Sequence, residues 1–481
     1  MSSRATAVLR ASLILGIALR LALCAVNPPT NAFDDHYKPI KLILTTGEIP
    51  DRDDCFECYH PPVFYLSSAW VAQAAMQADV APERIEKLLQ FLPCLYAILT
   101  LFVILGILRR LRLSDFAVCV AFAVLCFLPR HVYMAAVHSN DTIAYLGVSV
   151  CAWLILRCLD SGLRLLDLVL LSAAMAVTVV TKYTSMVVLP LVVTAFGCAW
   201  LLRVAASRRR IAVATLAICV APLVSLVLFA APNVRDYGRP FPSNLELFQQ
   251  DWLDSGRATR DVDFVGFRPW AAIATPILAP DNRDSLWTVL WARAWFDMEP
   301  LFLPYTDPVD EAWWDAYERY VGGAEDEAWQ GTEALGSFTL ATGRGLIALG
   351  LLPALLLALG MVASLAGRWS LLRALRPPAG QATDETREAR LQTSRLVMMP
   401  VLVLGVMAGI VLTTWKFPYT FSMKSIYILN GLPAFIALVA LGAEQLAERP
   451  VARRLLTAGT ALLALLTTAH ILHILVAMAG D

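Results

Sequence analysis

Leu88-Leu89-Gln90-Phe91-Leu92-Pro93-Cys94-Leu95-Tyr96-Ala97-Ile98-Leu99-Thr100-Leu101-Phe102-Val103-Ile104-Leu105-Gly106-Ile107-Leu108 carries no charge, and Arg109-Arg110-Leu111-Arg112 follows at once. At about 1.5 Å per residue a helix of this length spans about 30 Å, the thickness of a bilayer's hydrocarbon core. The arginines then stop it at one membrane face. The same ruler finds candidate spans near 7–26, 113–129, 141–158, 165–181, 185–202, 211–231, 343–366, 396–414, 425–444 and 456–478. The reading is an all-α polytopic membrane protein with about eleven spans. Composition agrees: 58% of the 481 residues are hydrophobic and only 16% charged, far from a soluble chain. Lysine plus arginine and aspartate plus glutamate both number 39, so no basic excess points to a nucleic-acid partner.

Arginine placement orients the bundle. Arg109, Arg110 and Arg112 follow span two, Arg157 and Arg164 flank the next turn on that side, and Arg203 and Arg208–Arg210 follow span six. Arg368, Arg373 and Arg376 follow span eight, and Arg449, Arg453 and Arg454 follow span ten. Every even-numbered exit then lies on one side, which the positive-inside rule makes cytoplasmic, with the N-terminus there too. The first run is read as a retained helix of a multi-pass plasma-membrane protein, because no cleavage pattern precedes Asn27-Pro28-Pro29.

Two segments then face outside, Asn27–His60 and Pro232–Thr342. Pro61–Met76 reads as a helix lying along the interface, its apolar run interrupted by Ser67, Ser68 and Gln73. The long loop holds eight tryptophans (Trp252, Trp270, Trp287, Trp291, Trp295, Trp313, Trp314 and Trp329), a density suited to a bilayer interface. The expected division is a membrane module over 1–231 with its first loop at 27–77, a small external subdomain at 232–342, and C-terminal helices at 343–481 with a polar linker at 367–395. No internal repeat is seen, against an inverted-repeat transporter. Eight of the ten cysteines lie in apolar runs and read as small hydrophobes.

The first loop reads Phe33-Asp34-Asp35-His36-Tyr37, then Gly47-Glu48-Ile49-Pro50, then Cys55-Phe56-Glu57-Cys58-Tyr59-His60-Pro61-Pro62. A carboxylate held at the mouth of a helix bundle is partly desolvated, which raises its pKa and makes it a better base. Cys55 and Cys58 lie in this polar loop, and an external disulfide suits them better than a metal or redox pair. Thr181-Lys182-Tyr183-Thr184 places a lysine at the same level, costly there without a counter-charge. His138-Ser139-Asn140-Asp141 opens span four on that side, where Ser139 or Asn140 either caps the helix or bonds a sugar. Trp415-Lys416-Phe417-Pro418-Tyr419, followed by Lys424, adds two cations that run against the positive-inside trend and suggest an anionic ligand. Trp295-Phe296-Asp297-Met298-Glu299 reads as an interfacial turn.

An acidic pair after the first span, a Gly-x-x-Pro segment and His-Pro-Pro opening an amphipathic helix, in that order, resemble the membrane-embedded C-type (GT-C) glycosyltransferases, closest to the protein mannosyltransferase and lipid A aminoarabinose transferase family. The resemblance covers roughly residues 1–230 by motif and hydropathy. It implies a polyprenyl-phosphate sugar as donor, a lipid, glycan or protein as acceptor, and an inverting transfer on the external, periplasmic face. It implies Asp34 as the catalytic carboxylate, but this chain has Asp-Asp where the family often has Asp-Glu, so Asp34 and Asp35 both stay open. It further implies His60 and Lys182 at the donor phosphate, joined by Lys416 and Lys424, with Tyr37, Asn140, Asp141, Tyr183 and Tyr419 as substrate-binding candidates. No phosphate-cradling Gly-rich loop or dinucleotide fingerprint is present, so no nucleotide or cofactor is expected; with the lysines present a divalent metal is not required, though relatives in the wider superfamily use one. A lipid or solute transporter, or a scaffold, are the alternative readings.

Overall fold

The computed structural model describes residues 2–202, 207–248, 262–279, 281–298, 300–307, 335–374, 384–417 and 422–480. Arg203, Trp252, Glu299, Trp313, Trp314, Trp329, Arg376, Tyr419 and the middle of the polar linker, 375–383, lie outside the described residues. The helices used below are α1 (Ser3–Val26), α2 (Tyr37–Thr46), α3 (Val63–Gln77), α4 (Pro82–Arg110), α5 (Asp115–Cys126), α6 (Pro129–Ala135), α7 (Asp141–Asp160), α8 (Leu165–Val179), α9 (Val188–Leu201) and α10 (Arg208–Tyr237). They are followed by α11 (Leu286–Trp295), α12 (Ser337–Leu349), α13 (Leu351–Ala374), α14 (Asp384–Lys416), α15 (Leu432–Glu444) and α16 (Pro450–Gly480).

Among the described residues, nine helices are long and apolar enough to cross a bilayer. Together with the bent pair α5–α6 and the short apolar α8, they occupy the eleven expected positions. The fold is an all-α polytopic bundle.

The span expected at 113–129 is corrected to two helices meeting at 49°. Pro129 is the cause: it starts α6 and pushes Leu128 into extended backbone (φ −71°, ψ 109°). The break frees carbonyls at the end of α5, and the buried Arg20 of α1 takes them up. Its guanidinium donates to the carbonyls of Cys126 (3.0 Å), Leu125 (3.4 Å) and Gly16 (2.7 Å), and meets His131 Nδ1 at 2.7 Å. A charge inside a span is tolerated when it is spent on such backbone oxygens. The span expected at 211–231 also runs longer, to Tyr237, with Pro222 and Pro232 inside the helix.

The tightest packing joins α13 to α15. A Cβ on Gly360 would come within 1.9 Å of the Leu438 carbonyl oxygen, and one on Gly442 within 2.0 Å of that of Leu356. Small residues on both helices let the two backbones touch, as membrane helices do where no hydrophobic force drives them together. The described part of the second loop packs onto the same core: Leu286, Val289, Phe296, Met298 and Phe302 bury with span residues such as Leu346 and Ile474.

Polar contacts define two ends of the bundle. At one, the last turn of α4 and the end of α7 meet the start of α14 through Arg110, Asp160, Glu388 and Arg395. There too Glu444 at the end of α15 accepts from the Ser114 backbone at 3.0 Å. At the other, the first loop is tied down. Lys87 of α4 donates to the carbonyls of Cys24 (2.6 Å) and Asn27 (2.7 Å), closing the end of α1. The amides of Asn27 and Gln90 donate to the Ala136 carbonyl at 2.8 and 2.7 Å, fastening α1 and α4 to the end of α6. Helices α2 and α3 form a small core of their own on α4, from Tyr37, Ile40, Phe64, Tyr65, Ile85 and Leu89.

Candidate active site

Between the end of α1 and the start of α2, the two neighbouring acids part ways. Asp35 Oδ1 accepts the backbone N–H groups of Tyr37 (3.1 Å) and Lys38 (3.2 Å), so it caps the first turn of α2. Asp34 turns the other way, toward the Lys424 ammonium at 3.5 Å, with 28% of its side chain exposed. Lys424 stands just before the 3₁₀ turn Ser425–Gly431 that leads into α15. The Phe33 ring lies beneath two cations, Lys424 and the buried Arg130, each 5.8 Å from its centroid. Arg130 in turn donates through Nε to the Arg293 carbonyl at 2.9 Å.

The expectation of a raised Asp34 pKa is corrected. Burial does push it up, but Lys424 first, then His36 and Lys182, outweigh burial and hold the carboxyl below its usual range. Asp34 therefore stays ionised.

Lys182 finds the counter-charge its depth requires. It sits in extended backbone where α8 ends and the 3₁₀ turn Tyr183–Val187 begins. Buried there, its ammonium donates to Asp141 Oδ1 at 2.6 Å and to Asn140 Oδ1 at 2.9 Å, with the Tyr427 ring 5.8 Å away. Asn140 thus does not cap α7. Ser139 supplies the local contact instead, its hydroxyl accepting the Asp141 N–H at 3.3 Å.

The Cys55 and Cys58 sulfurs are 2.00 Å apart, a bonded pair. The turn they close carries Glu57, buried between two imidazoles. Its Oε2 lies 3.2 Å from His60 Nε2 and 3.7 Å from His36 Nδ1, and the Tyr65 hydroxyl joins His36 Nδ1 (2.9 Å) to the Glu57 carbonyl (3.3 Å). Burial pushes the Glu57 carboxyl up to about 7, with His36 opposing. Burial pushes His60 well below its ordinary value, so it stays neutral and offers a hydrogen bond rather than a fixed charge. Arg52 straps this turn to α10, donating to the Cys58 carbonyl at 3.3 Å and to Asn233 Oδ1 at 3.0 Å.

Several expected residues stand apart or are already engaged. Lys416 is 57% exposed and pairs with Glu246 rather than with Asp34. The Tyr37 hydroxyl donates to the Glu86 carbonyl at 3.0 Å while its ring stacks on His138 at 4.0 Å. Tyr183 donates to the carbonyls of Tyr59 (2.7 Å) and Pro242 (3.3 Å) and so fastens the first loop. Asp297 accepts the N–H groups of Leu301 (2.9 Å) and Phe302 (2.7 Å), a turn. Sequence reasoning missed Glu57, His36 and Arg130. An acid between two bonded cysteines and three residues before His-Pro-Pro was a usable signal for Glu57.

No family model matches the chain, and no curated protein does. Among solved structures it is similar to the archaeal oligosaccharyltransferase AglB from Archaeoglobus fulgidus in complex with an inhibitory peptide and a dolichol phosphate. That match has a TM-score of 0.51 and 14% identity, over 98% of this chain and 55% of that one. The same enzyme without ligands matches at TM-score 0.50 and 13% identity. ArnT from Cupriavidus metallidurans also matches, at TM-score 0.35 and 17% identity over 90% of this chain and 76% of its own. The chain has a C-type glycosyltransferase fold. It spans about half the length of the archaeal enzyme, and at such identity the likeness speaks for the fold alone.

Proposed function

We propose that the protein is a glycosyltransferase that moves a sugar from a polyprenyl-phosphate carrier to an acceptor hydroxyl on the external face of the membrane. One observation carries this reading. Three motifs far apart in sequence, around Asp34, Lys182 and Lys424, meet at one end of the bundle with an ionised carboxylate among cations. The dolichol phosphate bound by the structural neighbour fits such a donor.

Asp34 accepts the proton of the acceptor hydroxyl as its oxygen forms a bond to the anomeric carbon. The bond from that carbon to the phosphate oxygen breaks on the opposite face, with inversion, and the electron pair stays on the phosphate. Lys424 and Lys182 neutralise the departing anion; electrostatic help suffices for such a leaving group. His60 offers the phosphate a hydrogen bond. Asn140 and Asp141 hold Lys182 in place.

The test is to replace each acid separately. Asp34→Asn should lower transfer from a labelled polyprenyl-phosphate sugar by about 10²–10⁴-fold at equal abundance. Asp35→Asn should keep most transfer and nearly all stability, because an asparagine Oδ1 still accepts the Tyr37 and Lys38 N–H groups. Full activity in Asp34→Asn, or equal loss in both, rejects the assignment.

A further inference from the structure

His60 is 6% exposed, and its Nδ1 has no hydrogen-bond partner although Nε2 faces Glu57. A buried ring nitrogen of this kind is costly unless a ligand meets it. The groups around the pair come from every neighbouring element. Asp34 and His36 belong to the first loop, Tyr65 to α3, Asp141 to α7, Lys182 to the turn after α8, and Lys424 and Tyr427 to the approach to α15. The ring therefore sits among the proposed phosphate-binding cations, and this inference rests on that proposed reading.

We infer that Glu57 is a positioning residue that sets which His60 nitrogen carries the proton, and thereby switches a hydrogen-bond donor on and off at the carrier phosphate. With Glu57 protonated, its O–H donates to His60 Nε2, so the neutral ring holds its proton on Nδ1 and presents an N–H to a phosphate oxygen. With Glu57 ionised, Nε2–H donates to the carboxylate, and Nδ1 carries a lone pair that repels the phosphate. The second nitrogen of a histidine is governed in this way by whatever the first one bonds. The Cys55–Cys58 bond supports the arrangement, since it closes the turn that carries Glu57 toward the ring.

The switch lies near neutrality, because the Glu57 carboxyl is held at about 7. If only the protonated pair binds, the competent fraction falls about tenfold between pH 6 and pH 8, and the affinity falls with it.

The experiment measures binding of undecaprenyl phosphate, without sugar, to the full-length protein in detergent across pH 6–8. Affinities are taken as the ratio of wild type to Glu57→Gln, which cancels the titration of the phosphate itself. That substitution leaves no titrating carboxyl at the ring, so the His60 tautomer no longer changes between pH 6 and pH 8. The ratio should fall about tenfold from pH 6 to pH 8. A flat ratio overturns the inference. Should Glu57→Gln fail to fold, His60→Lys replaces the switch by a fixed ammonium, and wild type should again lose about tenfold relative to it. Wild type that binds no polyprenyl phosphate at any pH overturns the proposed function instead.

Discussion

The two ends of the bundle use charge in opposite ways. At the arginine-rich end, Arg395 commits Nε and Nη2 to Asp160 (3.0 and 2.6 Å) and Nη1 to Glu388 (3.0 Å) and Gln392 (3.1 Å). Arg157 meets Asp167 at 2.7 Å there. These pairs join helix ends. At the first-loop end, Asp34, Glu57, Asp141, Lys182 and Lys424 gather with two imidazoles, and polarity outruns pairing. His60 Nδ1, both ring nitrogens of His138 and the Asn140 amide nitrogen are buried without a partner. Saturated ion pairs such as these hold an architecture, whereas the unspent buried groups at the first-loop end lie where the proposed donor phosphate would bind.

That contrast can be broken by severing one pair at each end. Lys182→Met leaves the buried Asp141 carboxylate without its counter-charge, which should cost about 3–5 kcal/mol in denaturation experiments. Adding Asp141→Leu should recover much of that stability while transfer stays lost. Arg395→Met should cost less, because Asp160 and Glu388 are 24% and 42% exposed and rehydrate, and transfer per folded molecule should be unchanged. Transfer restored by the double variant would make the Lys182 pair structural, like its counterpart at the other end.

A smaller effect sharpens the comparison through pH. The Glu57 carboxyl titrates near 7 in the folded protein against 4.5 ordinarily, because burial disfavours its charge. The folded state keeps a proton that the unfolded chain releases. The contribution is full below pH 4.5 and is lost as pH rises through about 7, in all about 3 kcal/mol. Glu57→Gln should therefore raise the apparent Tm at about pH 8 and leave it nearly unchanged at about pH 4. An unchanged pH profile of Tm in the variant would reject the buried-acid assignment.

The smallest effect is expected at the rim. Lys416→Ala removes an exposed ammonium from the largely buried Glu246, which keeps its pair with Arg239, so the cost is about 1 kcal/mol or less. Transfer should change by less than about threefold, the salt dependence of an exposed charge included. A loss as large as that of Asp34→Asn would bring Lys416 back into the site.

The bundle was legible because bilayer thickness imposes a length on each apolar run and arginine marks where runs end. The short runs were harder: Pro129 bends one span. In the site, Asp34, Lys182 and Lys424 were legible as charges out of place in an apolar chain. Glu57 was not, because an acid in a polar loop reads as solvated until its burial is known.

From its sequence alone this protein was bound to cross the membrane many times, since every long apolar stretch must satisfy its backbone within a helix. Sequence order also placed its misplaced charges at one level. Which of two adjacent aspartates faces a lysine 390 positions away, and that a loop glutamate lies buried between two histidines, were decided by the packing of separate segments. Distance and burial set charge states, and neither is a property of local sequence.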